Sequence, residues 1–364
     1  MSAASSVVTI ISPMPVTVRS FAKINLGLCI GALRPDGFHD LRTVYQTIAL
    51  HDVIRVQVGR GAGIEIQCED ARVPKDSTNT CYRIVERAMA ALRAPGRVTI
   101  TIEKRLPVQG GLGAGSGNAV ATLLALEHAL KKKLPGAERL RIAAEVGSDL
   151  PLFLIGGTVL GVGRGEEVYP LPDLPSVGCV VATPEIGVST PKAFADWDAM
   201  IGDAAGAAEL RSARAAEGGR PYVDRAATGT KLTPQLPSDR MIGFGRMVSA
   251  WLSGQPLSGV PVSKGRGRAE TSLLDLVRTG IENDFEQVVF PKYPELREVK
   301  SVLERAGAFY ASLSGSGSAV YGLFRSRAAG QKAAARLQRD GIRAVATTTL
   351  TRRQYWKKFP VSGF

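Results

Sequence analysis

The chain has 364 residues, which predicts two domains, and 45 % of them are hydrophobic, which is enough for substantial cores. The formal net charge of +13 favours anionic partners such as nucleotides, phosphorylated metabolites, nucleic acid or a membrane surface, without choosing among them. The cysteines, Cys29, Cys68, Cys81 and Cys179, lie too far apart for metal-ligand spacing, which excludes a cysteine-based zinc motif and is typical of a reducing cytoplasm.

Signals for membrane insertion or export are weak. The longest apolar run, residues 150–162, is interrupted by glycines and is too short to cross a bilayer. The first sixteen residues contain neither Lys nor Arg, so they make a poor signal or transit peptide. We therefore predict a soluble, cytoplasmic protein with no membrane partner.

The first half of the chain alternates strand and helix patterns. We predict a flexible extension at residues 1–15 and a first domain at residues 16–175. Its predicted elements are strands at 16–18, 24–30, 53–58, 64–68 and 98–102, helices at 79–92, 119–130 and 138–146, and a hairpin at 158–171. We expect strands 53–58 and 64–68 to be neighbours, because a glycine-containing turn joins them.

A second domain is predicted at residues 176–351. A segment at about 202–269, rich in Ala, Gly, Ser, Pro and Arg and weakly periodic, is predicted to be an insertion that is partly flexible. The predicted elements are strands at 179–183, 319–324 and 344–350 and helices at 273–288, 296–306 and 328–338. Residues 352–364 form a basic, aromatic tail.

The segment Leu106–Asn118 has the most distinctive composition, with five glycines between a strand pattern and a helix pattern. Glycine lets such a loop turn its amide N–H groups inward, and the first N–H groups of the helix carry a partial positive charge. Both features suit a phosphate group. The segment has no Walker lysine and fits the dinucleotide fingerprint poorly, and a flexible turn before a core helix is the alternative.

Several motifs in one order resemble the GHMP small-molecule kinases. These are Phe21–Leu26, the glycine segment Leu106–Asn118 and Leu313–Gly317. Three further stretches, residues 34–41, 147–153 and 186–194, are similar to the members of that family whose substrate is 4-diphosphocytidyl-2-C-methyl-D-erythritol. The resemblance covers about residues 16–200 and 273–350.

This chain departs from the family pattern at four positions. Gln109 and Ala114 replace loop glycines, Gly117 replaces a serine, and Phe38 stands where tyrosine is usual. Ala114 raises the question of whether that position needs a positive backbone angle.

The resemblance implies an α+β, two-domain fold. Its N-terminal domain is ribosomal-protein-S5-domain-2-like, its C-terminal domain is a ferredoxin-like α/β sandwich, and the active site lies in the cleft between them. The implied reaction is ATP-dependent phosphorylation of the 2-hydroxyl of 4-diphosphocytidyl-2-C-methyl-D-erythritol, with Mg²⁺, in the non-mevalonate isoprenoid precursor pathway. The implied partner is this small molecule, without nucleic acid, and the protein is expected to be a monomer or a homodimer.

The resemblance assigns catalysis to Asp149 as general base and to Lys23, which would keep Asp149 ionised and neutralise charge on the nucleophile. Outside the family context, Asp149 can be read as a helix cap. Lys23 can be read as part of a solvated strand face.

The nucleotide and substrate residues also come from the resemblance. The ATP-binding set is Asn79, Lys104, Pro107, Gly110, Gly111, Leu112, Gly113, Ala114, Gly115 and Ser116, and the Ser116 hydroxyl is also a candidate Mg²⁺ ligand. The substrate-binding set is Asn25, Phe38, His39, Phe194, Gly315, Ser316 and Gly317. In it, the two phenylalanines would stack on cytosine, His39 would read the polar edge of cytosine by side chain or backbone, and residues 315–317 would close over the diphosphate.

Each of these residues also has a structural interpretation. Asn79 and Ser116 can be helix caps, and Lys104 with Arg105 can be an exposed basic pair. The phenylalanines can be core residues, and residues 315–317 can form a tight turn. The competing functions are another GHMP kinase, acting on mevalonate, homoserine or a sugar, a basic RNA-binding protein, and a non-catalytic relative.

Overall fold

A computed structural model describes residues 14–108, 110–202, 237–253 and 281–363. The predictions for residues 1–13, for Gln109, for most of the 202–269 insertion and for the first part of the 273–288 helix lie outside the described residues. In the described ranges, no helix has both the length and the apolar character that crossing a membrane requires.

The described chain mixes helices and strands. The strands are β1 (Val16–Leu33), β2 (His39–Gly59), β3 (Gly63–Cys68), β4 (Arg97–Glu103), β5 (Thr158–Val162), β6 (Glu167–Pro170), β7 (Gly178–Ala182), β8 (Tyr310–Leu313), β9 (Val320–Phe324), β10 (Ala344–Thr348) and β11 (Pro360–Ser362). The helices are α1 (Thr80–Ala91), α2 (Ala114–Leu130), α3 (Gly136–Val146), α4 (Leu150–Phe153), α5 (residues 190–202), α6 (Pro237–Ser253), α7 (Glu286–Lys292), α8 (Pro294–Arg305), α9 (Arg327–Arg339) and α10 (Arg352–Lys358).

A seven-stranded sheet carries the first half of the chain. Its main order is β11-β1-β2-β4-β3, and the β5–β6 hairpin extends from β2. The alternation predicted for β4 is confirmed, because Val98, Ile100 and Ile102 are buried while their neighbours are more exposed. The predicted neighbour relation between strands 53–58 and 64–68 is wrong, because β4 lies between them and pairs in parallel with β3.

A four-stranded antiparallel sheet carries the second half, in the order β10-β7-β9-β8. Along the chain, β7 is followed by helices, then by β8, β9, α9 and β10, which is the β-α-β-β-α-β sequence of a ferredoxin-like fold. The α+β class is therefore confirmed. Residues 171–177 join the two sheets, and the domain boundary near residue 175 stays a prediction.

Two helices differ from expectation. Within the segment that we predicted to be weakly ordered, α6 forms and buries Phe244 and Val248 against β1 and β2. The predicted helix at 273–288 is wrong at residues 281–285, which contain a bridge and a turn, and is confirmed only at residues 286–288, where α7 begins.

The predicted basic tail packs against the first sheet. Thr351 and Gln354 form a capping box that starts α10, and the hydroxyl of the buried Tyr355 donates to the Phe153 carbonyl at 2.8 Å. β11 then pairs antiparallel with the outer edge of β1. The tail therefore supports α4, the short helix that follows Asp149.

Candidate active site

Two cavities meet at the glycine segment. One, of about 390 Å³, lies between the start of α1, the end of β4 and the glycine segment. The other, of about 700 Å³, lies between β1, β2, α5 and the turn at residues 314–318. Gly111, Gly113 and Ser116 line both cavities, so a group held by this loop can be reached from either side.

Left-handed glycines shape the loop. Gly111 has φ +76° and Gly113, the residue before α2, has φ +67°, conformations that side chains other than glycine rarely adopt. Ala114 is the first residue of α2 and has no positive φ, which explains why alanine is tolerated there. The reading of Ser116 as the N-cap is wrong, because Gly113 holds that position and makes no side-chain cap.

The second glycine cluster docks on the first. The Ser314 hydroxyl donates to the Gly111 carbonyl at 3.0 Å, and the Ala319 amide donates to the Gly110 carbonyl at 3.2 Å. A Cβ on Gly317 would lie 2.3 Å from the Gly111 nitrogen, so Gly317 fills the contact between the clusters. Gly315 and Ser316 instead line the 700 Å³ cavity.

The predicted catalytic pair meets at the floor of the 700 Å³ cavity. Lys23 Nζ lies 3.3 Å from Asp149 Oδ2 and donates to Asn25 Oδ1 at 2.7 Å. Lys23 is buried, whereas the Asp149 side chain is 33 % exposed, so the lysine is not on a solvated face and the carboxylate opens into the cavity. Asp149 precedes α4 but makes no side-chain cap, which removes the cap interpretation.

Two residues that the sequence did not suggest, Tyr45 and Thr43, hold this pair, Tyr45 directly and Thr43 through Asn25. The Tyr45 hydroxyl donates to Asp149 Oδ1 at 3.0 Å, and burial beside that carboxylate raises the Tyr45 pKa well above its usual range. Tyr45 therefore stays protonated and serves as a donor. Asn25 Nδ2 donates to Thr43 Oγ1 at 2.8 Å, which directs the amide oxygen towards Lys23. Tyr45 and Thr43 both lie on β2. No local sequence pattern reveals how β2 is aligned with β1.

The aromatic end of the same cavity contains His39, Phe38 and Phe194. The rings of His39 and Phe194 are stacked, with centroids 5.2 Å apart and planes 8° apart. Both ring nitrogens of His39 have protein partners, the Gly31 carbonyl at 3.1 Å and Asp198 Oδ1 at 3.1 Å. A hydrogen bond from His39 to the polar edge of a base would therefore come from its backbone and not from its ring. Phe38 is 51 % exposed, so it is not a core residue.

The 390 Å³ cavity brings together every residue of the predicted ATP-binding set. Asn79 is also the N-cap of α1, where its side chain accepts from the Cys81 amide at 2.8 Å. Lys104 is not part of an exposed pair: its side chain is buried and its Nζ lies 2.5 Å from Asp52 Oδ2, whereas Arg105 is exposed.

Asp52 is a buried carboxylate that the sequence did not single out. It accepts hydrogen bonds from Lys104, from the amides of Arg105 and Leu106, and from Asn118 at the start of α2. These partners lie directly after β4, in the glycine segment and in α2, so Asp52 joins the elements that form the cavity. Only the tertiary fold identifies it, because Asp52 lies in the middle of β2.

We expect Asp52→Ala to lower the free energy of unfolding by about 3–5 kcal/mol, because it leaves the buried Lys104 charge unpaired. Urea denaturation measures this change. Asp70→Ala is the matched control, because it removes a carboxylate whose partner Arg72 is largely exposed, and it should change stability little. Equal losses in the two variants would contradict the structural role of Asp52.

Comparison with known proteins gives the family. Residues 79–157 match the model of the GHMP kinases N terminal domain, and residues 269–343 match that of the GHMP kinases C terminal domain. A 4-diphosphocytidyl-2-C-methyl-D-erythritol kinase of Solibacter usitatus is 35 % identical over 342 residues, which cover 94 % of this chain and 92 % of that protein. The chain belongs to the 4-diphosphocytidyl-2-C-methyl-D-erythritol kinase family. The predicted membership of the GHMP kinases is confirmed.

Other 4-diphosphocytidyl-2-C-methyl-D-erythritol kinases support this family membership, and solved structures of GHMP kinases support the fold. The kinase of Acaryochloris marina is 32 % identical and covers 88 % of this chain and 91 % of its own length. A crystal structure of 4-(cytidine 5'-diphospho)-2C-methyl-D-erythritol kinase is 29 % identical, with a TM-score of 0.62 over 92 % of this chain and 98 % of that one. A homoserine kinase from Cytophaga hutchinsonii, 18 % identical over 96 % of this chain and 97 % of that one, has a TM-score of 0.64 and shows the shared fold alone.

Proposed function

We propose that this chain transfers the γ-phosphoryl group of ATP to the 2-hydroxyl of 4-diphosphocytidyl-2-C-methyl-D-erythritol. The observation that carries the proposal is the Lys23–Asp149 pair, which lies in the larger cavity beside the glycine loop that both cavities share. The names of the relatives that match most of the chain support the same substrate. The alternative of a non-catalytic relative is disfavoured, because both charged residues of the pair are present and in contact.

Phosphoryl transfer depends mainly on positioning and on charge stabilisation. In the proposed reaction, Asp149 takes the proton of the acceptor hydroxyl, the oxygen bonds to the γ-phosphorus, and the bond to the β-phosphate oxygen breaks to release ADP. Lys23 neutralises the oxygen as it loses its proton. Tyr45 and Asn25 fix the two charged groups, so that little reorganisation is needed during the reaction.

The glycine loop supplies the phosphate site. The amides at the start of α2 point out of the helix, and the left-handed Gly111 and Gly113 let the backbone approach a phosphate closely. In the parts of the chain that the structure describes, no cluster of three His, Cys, Asp or Glu side chains could hold a metal. Mg²⁺ would therefore arrive on the nucleotide phosphates and neutralise their charge, with the Ser116 hydroxyl as a protein ligand.

The acceptor site has room for a flat base. The stacked His39 and Phe194 form an aromatic wall, and Phe38 lies exposed at the same end of the cavity. Mevalonate, homoserine and sugars have no base to stack there. These features support the diphosphocytidyl substrate over those of other GHMP kinases. We also propose that the enzyme acts in the cytoplasm, where the four free, buried cysteines match a reducing environment.

A substrate panel tests the proposal. With ATP and Mg²⁺ at saturation, we expect kcat/KM for the diphosphocytidyl substrate to exceed that for mevalonate, homoserine or galactose by at least about 100-fold, measured as ADP release. Equal or faster phosphorylation of one of the other acceptors would overturn the assigned substrate. Salt-sensitive RNA binding without any kinase activity would instead favour the RNA-binding alternative.

A further inference from the structure

The tip of the β5–β6 hairpin forms part of the wall of the 700 Å³ cavity. The Gly163 carbonyl accepts a hydrogen bond of 2.6 Å from the Leu41 amide, which attaches the tip to β2. Gly165 packs so closely on Tyr45 that a Cβ there would lie 2.6 Å from the tyrosine oxygen. The tip therefore has a fixed position next to the residue that contacts Asp149.

Arg164 projects from this tip into the cavity. Its guanidinium carbon lies 5.0 Å from the centroid of the Phe38 ring, and its Nε donates to Glu166 Oε1 at 3.0 Å. The hydrogen bond to Glu166 fixes one edge of the planar guanidinium, and the Phe38 ring contacts one of its faces. Its terminal nitrogens have no hydrogen-bond partner within the described ranges, so they remain open to a ligand.

Arg164 is close to residues at both ends of the cavity, and the two ends have different proposed roles. Phe38, His39 and Phe194 are at the aromatic end, and Lys23 and Asp149 are at the phosphoacceptor end. Arg164 contacts Phe38 directly, and its neighbour Gly165 contacts Tyr45, the donor to Asp149. Arg164 is therefore a cavity-lining residue with contacts towards both ends.

The distribution of positive charge in the cavity also indicates that Arg164 binds an anionic group. Among the described residues that line the cavity, Arg164 is the only guanidinium, and Lys23 is the only ammonium. Lys23 is paired with Asp149 and Asn25 at the phosphoacceptor end, whereas Arg164 uses only its Nε for the ion pair with Glu166 and keeps both terminal nitrogens for a ligand. A diphosphate that joins a base to an acceptor alcohol carries two negative charges and therefore needs another cation, and a guanidinium fork matches phosphate oxygens in pairs.

We propose that Arg164 binds the diphosphate of the acceptor substrate and makes the enzyme prefer a nucleoside diphosphate group over a monophosphate or an uncharged nucleoside. The inference rests on the proposed function, because it assumes that the base occupies the aromatic end. Glu166 holds the guanidinium in place, and Phe38 limits its rotation at the wall of the cavity.

Calorimetry with cytidine, CMP and CDP tests the proposal, using protein saturated with Mg²⁺ and a non-hydrolysable ATP analogue so that the nucleotide site is filled. In the unmodified protein we expect CDP to bind at least about tenfold more tightly than cytidine. Arg164→Ala should reduce that ratio about tenfold while leaving the affinity for cytidine nearly unchanged, and Arg164→Lys should give an intermediate ratio.

Arg141→Ala is the matched control. Arg141 is an exposed arginine on α3 that pairs with Glu138 and lines neither cavity, so its replacement should leave the CDP-to-cytidine ratio unchanged. Unchanged affinity for cytidine in Arg164→Ala also shows that the variant is folded.

The outcomes separate the two hypotheses. If CDP keeps its full advantage over cytidine in Arg164→Ala, the role of Arg164 is wrong, although the proposed function stands. If the unmodified protein binds neither cytidine nor CDP, the proposed substrate is wrong as well. A loss of cytidine binding together with CDP binding in Arg164→Ala would also contradict the proposal, because it would mean that Arg164 supports the base site.

Discussion

Asp149→Asn is expected to lower kcat by about 10²–10⁴-fold while the KM for ATP changes little. The amide keeps the shape of the side chain and can still contact Tyr45, but it cannot accept the proton of the acceptor hydroxyl. The buried Lys23 also loses its anionic partner at 3.3 Å. Steady-state release of ADP, measured at varied ATP and then at varied acceptor, gives both constants.

Tyr45→Phe is the control for this prediction, because it removes the 3.0 Å hydrogen bond to Asp149 but keeps the carboxylate. We expect it to lower kcat by less than about tenfold, the scale of one hydrogen bond. Near-normal turnover of Asp149→Asn would show that another group is the base. A loss in Tyr45→Phe as large as that in Asp149→Asn would show that positioning, and not proton transfer, limits the reaction.

Gly111→Ala is expected to abolish most activity and to destabilise the protein. The left-handed backbone at this position costs a non-glycine residue about 1–2 kcal/mol. In addition, the new Cβ would lie 1.9 Å from the Ser314 carbonyl oxygen, so the two glycine clusters would have to separate. Both cavities are lined by Gly111, and we therefore expect kcat/KM to fall for ATP and for the acceptor together.

Gly115→Ala provides the comparison within the same segment. Gly115 is in the first turn of α2, where a Cβ would find its nearest neighbour, Thr80 Oγ1, at an ordinary 3.7 Å. Alanine keeps the amide that faces the phosphate site and should stabilise the helix by about 0.5–1 kcal/mol. Urea denaturation and ADP release measure both variants. Similar behaviour of the two variants would show that the close approach of Gly111 to Ser314 is unimportant.

Local patterns predicted the parts of the site that depend on neighbouring residues. The alternation of Val98, Ile100 and Ile102 located β4, and the cluster of glycines located the turn into α2. The cap reading of Asn79 also holds, because a cap requires only the residue and the helix that follows it. Ser116 shows the limit of such preferences: serine is a good N-cap, yet the left-handed Gly113 begins the helix three residues earlier.

Contacts between distant strands were not predictable. Asp52 and Tyr45 lie in the long strand β2, and their roles depend on partners more than fifty residues away, Lys104 and Asp149. Nothing in the sequence around them distinguishes a buried carboxylate or phenol from an exposed one. For the same reason, the sequence alone suggested that Lys104 and Arg105 could be alike, although the fold buries one and exposes the other.

The pairing of β11 with β1 has a consequence for how the chain reaches this fold. Arg19 on β1 donates to the Pro360 carbonyl, 341 positions further along the chain. On the ribosome, the outer edge of β1 must wait for the synthesis of 341 further positions before this neighbour emerges. During that interval it offers unpaired peptide groups to other nascent chains, which makes aggregation during synthesis a hazard that prompt docking of β11 removes.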